Sequence, residues 1–177
     1  MLQRYLPLPV KLICGLIYSD ETIYRAAKTA LEKKFGKIDF ESRPIDFDFT
    51  DYYEKEMGKP LFRRFISFER LRKADEFVSV KLSCIKIEKK YSVRTKRTIN
   101  IDPGYINEAK LVLTTTKDFS HRIYLRRGIF AEVTLIFNKG RFFDFSTTFP
   151  DYRTSRYKDI FVIIRRIYSG QVKKKQA

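Results

Sequence analysis

The most concentrated set of reactive side chains lies in one polar stretch, residues 114–125, with the sequence TTTKDFSHRIYL. It contains Lys117 and Arg122, which could hold an anion, and His121, the only histidine of the chain. These residue types are what a phosphate- or carboxylate-binding site needs. They are also typical of a hairpin loop whose polar side chains bond the local backbone, and the sequence leaves both interpretations open.

A histidine works as a general acid or base when a neighbouring group orients its ring. Asp118 and Glu132 are the two candidates for orienting His121. Further metal ligands beside a single histidine would have to be carboxylates, so a zinc site is not predicted.

A second reactive group is an acidic island of five carboxylates in eleven residues, Asp46, Asp48, Asp51, Glu54 and Glu56. Closely spaced carboxylates can hold Mg²⁺ together with a phosphate-bearing substrate, so Asp48 and Asp51 are the candidate metal ligands. The alternative is a solvated strand face followed by a helix cap at Asp51.

Aspartate and tyrosine recur together in three segments, as Asp51-Tyr52, Asp102 with Tyr105, and Asp151-Tyr152. Each segment alone has the chemistry of a turn, but the recurrence suggests that they could converge on one site. The candidate catalytic residues are Asp51, Asp102, Asp118 and His121, and the candidate ligand-binding residues are Tyr52, Tyr105, Thr116, Lys117, Arg122, Asp151 and Arg153.

Nucleotide binding through a P-loop is excluded, because no two glycines stand five residues apart before a Lys-Ser/Thr pair. No G-x-G-x-x-G motif is present either.

The positive charge is unevenly distributed along the chain. Residues 1–60 contain ten basic and ten acidic residues, so the net charge of +16 comes entirely from residues 61–177. This asymmetry favours a polyanion partner such as RNA, which exposed tyrosines could bind by stacking. A lysine-rich surface of a thermostable protein gives the same composition.

The reactive residues must be positioned by strands and helices, which the apolar spacing locates. Residues 11–18 form a nearly continuous apolar run, which predicts a buried central strand. Helical spacing predicts helices from Ser19 to Gly36 and over 157–168, the latter ended by Gly170, and length favours a helix over 75–91. Further strands are predicted over 38–49, 61–68, 98–101, 111–116, 122–125, 129–137 and 142–148.

Turn residues separate the strands. Asp102-Pro103-Gly104 predicts a turn, and 126–128 and 138–140 predict hairpin turns. We therefore predict a single-domain α+β fold over 1–177, a mainly antiparallel sheet with about three helices packed on one face. Residues 171–177 are expected to form a disordered basic tail.

The same sequence sets expectations about compartment. Pro7, Pro9 and Lys11 interrupt the apolar start of the chain, so no signal peptide is predicted, and no apolar run has the length of a membrane helix. Cys14 and Cys84 form no metal or disulfide pattern and read as buried thiols. We expect a cytoplasmic protein without membrane contact.

Four motifs together resemble an uncharacterised prokaryotic family of unknown function. In chain order they are FDFTDYY (47–53), NIDPGY (100–105), TTKDFSHRIYL (115–125) and PDYRT (150–154). The resemblance implies a domain of about this length but no established activity. Some members of that family carry a GTP-binding label, which the glycine spacing here does not support.

Two functions remain from the sequence. The first is binding or processing of a phosphate-bearing ligand, a nucleotide or similar, with Mg²⁺ as a possible cofactor. The second is a non-catalytic RNA-binding module that uses the basic C-terminal two-thirds and exposed tyrosines. The sequence does not decide whether the protein is an enzyme.

Overall fold

A computed structural model describes residues 6–176. Residues 1–5, which open the segment weighed as a signal peptide, and Ala177 lie outside the described residues. The described part forms one sheet of nine strands with four α-helices. The strands are β1 (Lys11–Tyr18), β2 (Ile38–Glu41), β3 (Ile45–Asp46), β4 (Phe62–Phe68), β5 (Ile99–Ile106), β6 (Lys110–Thr115), β7 (Ile123–Arg126), β8 (Ile129–Asn138) and β9 (Arg141–Asp144), and the helices are α1 (Glu21–Phe35), α2 (Glu54–Met57), α3 (Phe77–Tyr91) and α4 (Ser155–Gln176).

The strand order is β2-β4-β1-β5-β6-β8-β7, with β3 also on β4 and β9 also on β8. Every pair is antiparallel. The predicted α+β class with a mainly antiparallel sheet is confirmed, and so is the central position of β1, whose eight residues are all buried.

The helices cover both faces of the sheet, so the expected packing on one face is wrong. Leu12, Cys14 and Leu16 of β1 face a core shared with α1 and α3. Ile13, on the opposite side of the strand, faces a second core shared with α4. Because successive strand residues point to opposite faces, a continuous apolar run such as β1 requires cover on both sides.

Strand β5 runs straight through Asp102-Pro103-Gly104, where we expected a turn. All eight of its residues pair with β1, so the strand is held along one edge in spite of the proline. Gly104 is needed here for close approach, because a Cβ on it would lie 2.3 Å from the Val112 carbonyl oxygen. Glycine therefore lets β6 approach β5, and it does not adopt the positive φ typical of a turn glycine.

Helix α4 continues past Gly170 to Gln176, so its predicted end at Gly170 is wrong. Residues 171–176, where a disordered tail was expected, are helical. Gln171 accepts a hydrogen bond from the buried Lys11 ammonium (2.8 Å) and donates one to the Glu69 carbonyl (2.7 Å). These contacts fix the last turns of the helix against the sheet. None of the helices within residues 6–176 combines the length and hydropathy needed to cross a membrane.

Candidate functional site

The candidate site lies where β5 and β6 separate. The two strands pair only between Gly104–Ile106 and Leu111–Leu113. Beyond that point side chains of α3 satisfy the free backbone of Ile101: its N–H donates to Glu88 Oε1 (2.6 Å), and its carbonyl accepts from Lys81 Nζ (3.1 Å). The strands therefore enclose a gap whose backbone is hydrogen-bonded by a helix instead of a strand.

A cavity of about 480 Å³ opens at this gap. All four motifs that carry the family resemblance contribute to its lining, together with β4 and α3. The lining residues are Phe47, Phe49, Thr50, Tyr52, Tyr53, Arg63, Lys81, Ile85, Glu88, Arg97, Asn100, Asp102, Leu113, Thr114, Thr115, Thr116, Lys117, Arg122, Glu132, Phe149, Pro150, Asp151 and Tyr152. Segments far apart in sequence thus meet at one place.

Arg63 of β4 joins two of these segments at the buried end of the cavity. Its guanidinium donates to Asp151 Oδ2 (3.0 Å) and to Asp102 Oδ2 (3.4 Å), and the Asn100 amide also donates to Asp102 Oδ2 (2.8 Å). Arg63 and Asp151 are 3% and 5% exposed. Burial raises the pKa of Asp151, and the charge of Arg63 acts in the opposite direction.

Helix α3 supplies the opposite wall. Lys81 Nζ lies 3.7 Å from Asp102 Oδ1, so the Asp102 carboxylate stands between two cations, Lys81 and Arg63. Burial raises the pKa of Glu88, against the opposing effects of Lys81 and the Ile101 N–H. This wall therefore combines an ammonium group with a carboxyl group that burial holds toward its protonated form.

Aromatic rings and cations form the outer part of the cavity. Phe49, Tyr52 and Phe149 are 40%, 53% and 40% exposed, and Lys117 Nζ lies 4.6 Å from the centre of the Tyr52 ring. Arg97 is held by Glu56 (2.7 Å) and does not stand free. Flat, partly exposed rings beside a cation are suited to stacking a planar ligand.

Lys117 is distinguished by its charge environment. The lining cations Arg63, Lys81, Arg97 and Arg122 each have a carboxylate oxygen within 4.0 Å. Lys117 has no such partner within residues 6–176, and its neighbour Arg122 donates to the Lys117 carbonyl (3.1 Å) while paired with Glu132 (2.8 Å). Lys117 is thus the unneutralised cation of the lining.

Six of the sequence-predicted residues line the cavity: Tyr52, Asp102, Thr116, Lys117, Arg122 and Asp151. The other six do not, and they are Asp48, Asp51, Tyr105, Asp118, His121 and Arg153. Asp48, Asp51 and Asp118 are exposed, and residues 6–176 hold no group of three or more His, Cys, Asp or Glu side chains placed to bind a metal ion. The expected Asp48–Asp51 metal pair is therefore not brought to the cavity.

The remaining three outside residues have structural contacts. His121 Nε2 lies 3.0 Å from Glu132 Oε2, so Glu132 and not Asp118 orients the ring, behind the cavity wall. Tyr105 packs edge-on against Phe77 of α3. Arg153 donates to the carbonyls of the loop before it, at 2.6 and 2.8 Å.

Sequence reasoning missed the two residues that organise the buried part, Arg63 and Lys81, as well as Glu88. A signal for Arg63 was present, because Arg63-Arg64 interrupts the apolar run of β4 and alternation must send one arginine to each face. Arg63 faces the cavity, while Arg64 pairs with Glu21 and Glu41 on the α1 side. Lys81 and Glu88 carry no such signal, since charged residues are ordinary in an amphipathic helix.

Comparison with known proteins identifies the family. Residues 8–168 match the family described as a domain of unknown function (DUF4416), and the chain belongs to it. Searches of curated proteins and of solved structures found no match.

Proposed function

We propose that the cleft between β5 and β6 binds a phosphate-bearing small ligand, a nucleotide or similar. The observation that carries the proposal is the convergence of all four motifs on one cavity with aromatic rings and an unneutralised cation. A volume of about 480 Å³ lies within the range of small-ligand sites, roughly 300–1,000 Å³.

The ligand's two ends fit different parts of the lining. Tyr52 and Phe149 offer ring faces for a planar base, and stacking on an aromatic side chain contributes about 1–3 kcal/mol per base. Lys117, with the Thr116 hydroxyl beside it, offers the positive charge for a phosphate. Asp102 can accept hydrogen bonds from hydroxyl or amine groups of the ligand, and the Asn100 amide beside it can donate to them.

If the protein also processes its ligand with the help of a metal ion, the carboxylates that line the cavity would have to hold that ion. Mg²⁺ is commonly held by one or two carboxylates together with substrate phosphates. Because both oxygens of Asp102 already lie beside Arg63 or Lys81, Mg²⁺ would have to displace these cations to bind this carboxylate. Glu88, whose pKa burial raises, is suited to donate a proton. His121 pairs with Glu132 and does not line the cavity, so it is given no role in this proposal.

Calorimetric titration with AMP, ATP, GTP and inorganic pyrophosphate, each with and without Mg²⁺, tests the proposal. We expect saturable binding that Lys117→Gln weakens by at least about tenfold, since a charge-assisted hydrogen bond contributes about 1.5–3 kcal/mol. The matched control is Lys33→Gln, an exposed lysine of α1 that should leave the affinity unchanged.

A second variant tests the aromatic wall. Tyr52→Ala should weaken nucleotides but not pyrophosphate, whereas Tyr124→Ala, an equally exposed tyrosine of β7, should weaken neither. Absence of saturable binding by every ligand would rule the proposal out.

The RNA-binding alternative is distinguished by salt. For a ligand held by one cation, the slope of log affinity against log salt concentration is about −1, whereas an RNA that neutralises many phosphates gives a slope several times steeper. Tight oligonucleotide binding with a steep slope, unaffected by Lys117→Gln, would favour the RNA module.

A further inference from the structure

The outer edge of β7 is an open sheet edge. β7 is the last strand in the sheet order and pairs only with β8, so within residues 6–176 no strand occupies its other side. Its four residues are all exposed. The unpaired N–H and C=O groups of such a strand are a template on which another chain can pair.

The side chains of this edge are unusually apolar for an exposed strand. Ile123, Tyr124 and Leu125 are 69%, 58% and 42% exposed, and Phe119, just before the strand, is 64% exposed. Edge strands of monomeric proteins are normally protected by short length, bulges, lysines, prolines or covering segments. β7 is short, with four residues and one register shift, but it contains no lysine or proline. The pairing register of β7 with β8 shifts between Tyr124 and Arg126. The regularly paired part of β7 is therefore its beginning, Ile123 and Tyr124, which is the part nearest to Phe119 in sequence.

Basic residues frame the same edge. Arg126 and Arg127 lie at the β7–β8 turn, and Lys139 and Arg141 lie at the β8–β9 turn. β7 and β9 both pair along the side of β8 that β6 leaves free. None of these four cations forms a salt bridge within residues 6–176, so the edge as a whole is positively charged.

We propose that the β7 edge docks an extended, acidic segment of another protein, which adds to the sheet as a further strand. Backbone pairing supplies the affinity of such docking, and alternating side chains supply its specificity. Acidic side chains in the segment would meet Arg126 and Arg127, while its apolar ones would cover Ile123 and Leu125.

Charge and chemistry select this occupant over two others. A second copy of the chain also carries a net charge of +16, so pairing β7 with β7 brings two strongly basic molecules together. RNA could stack on the exposed rings of Phe119 and Tyr124. It cannot continue the β-sheet hydrogen-bond ladder that the open edge of β7 offers, and the branched side chains of Ile123 and Leu125 give it no flat surface.

The probe for this proposal is a synthetic decapeptide of alternating glutamate and valine, titrated into the ¹⁵N-labelled full chain. We expect saturable shifts of the backbone amides of residues 123–126. Ile123→Lys should weaken binding at least tenfold, whereas Ile163→Lys, a control at an exposed isoleucine of α4, should not. Reversing Arg126 and Arg127 to glutamate should weaken it comparably.

Several outcomes would overturn the proposal. No saturable shift, shifts confined to the cleft around Lys117, or equal binding of a lysine–valine decapeptide would each remove the acidic strand as the occupant. Sedimentation of the free chain as a dimer that Ile123→Lys dissociates would assign the edge to a second copy. Equivalent shifts with a uridine decanucleotide would assign it to RNA. These measurements do not depend on ligand binding in the cleft.

Discussion

Replacing Arg63 by methionine should destabilise the protein far more than the same change at the adjacent Arg64. Methionine keeps much of the side-chain volume but leaves the 5%-exposed Asp151 without its cation at 3.0 Å. Removing one partner of a buried ion pair costs about 3–5 kcal/mol, because an uncompensated charge remains in the interior. We therefore expect Arg63→Met to lower the free energy of unfolding by that amount.

Arg64 provides the internal control. It bonds Glu41 (2.8 Å) and Glu21 (3.1 Å), but the side chains of these carboxylates are 26% and 43% exposed. Water can solvate them once the arginine is gone, so Arg64→Met should cost about 1 kcal/mol or less. The contrast arises because neighbouring strand residues face opposite sides of the sheet.

The cost at Arg63 should also depend on pH. The charge of Arg63 holds down a pKa of Asp151 that burial raises, so in Arg63→Met this pKa rises further. A carboxyl group whose pKa is raised in the folded state contributes stability at pH values below its unfolded-state pKa, about 3.9. This contribution is lost as the pH rises through the folded-state pKa. The destabilisation should therefore be smaller at about pH 4.5 than at about pH 7.5.

Urea unfolding of the single variants and of Arg63→Met/Asp151→Asn measures these differences. The double variant should recover at least about 1–2 kcal/mol, because the buried carboxylate is gone. A loss below about 1 kcal/mol for Arg63→Met, or equal losses at Arg63 and Arg64, would refute the reasoning.

Two further predictions concern the strands that form the cleft. Gly104→Ala should lower the free energy of unfolding in urea by about 3 kcal/mol, because the new Cβ would lie 2.3 Å from the Val112 carbonyl oxygen. The control Gly170→Ala, with open space around it in α4, should instead raise it by about 0.5–1 kcal/mol. Equal effects of the two variants would contradict this prediction. Glu88→Gln keeps an oxygen for the Ile101 N–H but removes a carboxyl group whose pKa burial raises. The variant should therefore gain stability relative to the wild type as pH rises from about 4.5 to about 8, measured by thermal unfolding at several pH values, and a pH-independent difference would contradict the raised pKa.

The periodicity of apolar residues predicted most helices and strands, because each of them is determined largely by residues that are close together in sequence. Length favours a helix over 75–91, and α3 spans Phe77–Tyr91. The strand predicted over 38–49 is two short strands, β2 and β3, with Pro44 between them. Failures occurred where distant contacts decide: pairing with β1 keeps Pro103 inside a strand, and contacts of Gln171 extend α4 beyond Gly170.

The candidate site was predictable in its motifs but not in its geometry. Residue types alone marked Lys117, Asp102 and Asp151, which line one cavity. They also marked His121 and Asp51, whose side chains the fold directs elsewhere. Which reactive residues face the same space depends on strand pairing and on β4 and α3, neither of which belongs to any motif.

The hydrogen bonds from α3 to Ile101 give the cleft a mechanical character. Two adjacent antiparallel strands normally form backbone hydrogen bonds along their whole length, because each unpaired N–H or C=O group then has a partner. Lys81 and Glu88 already occupy the groups of Ile101, so closing the gap would break two bonds in order to form others. The side chains of Lys81 and Glu88 thus keep β5 and β6 apart at this point. Because Lys81 and Glu88 are buried and both belong to α3, the gap between the strands is maintained by the packing of that helix on the sheet.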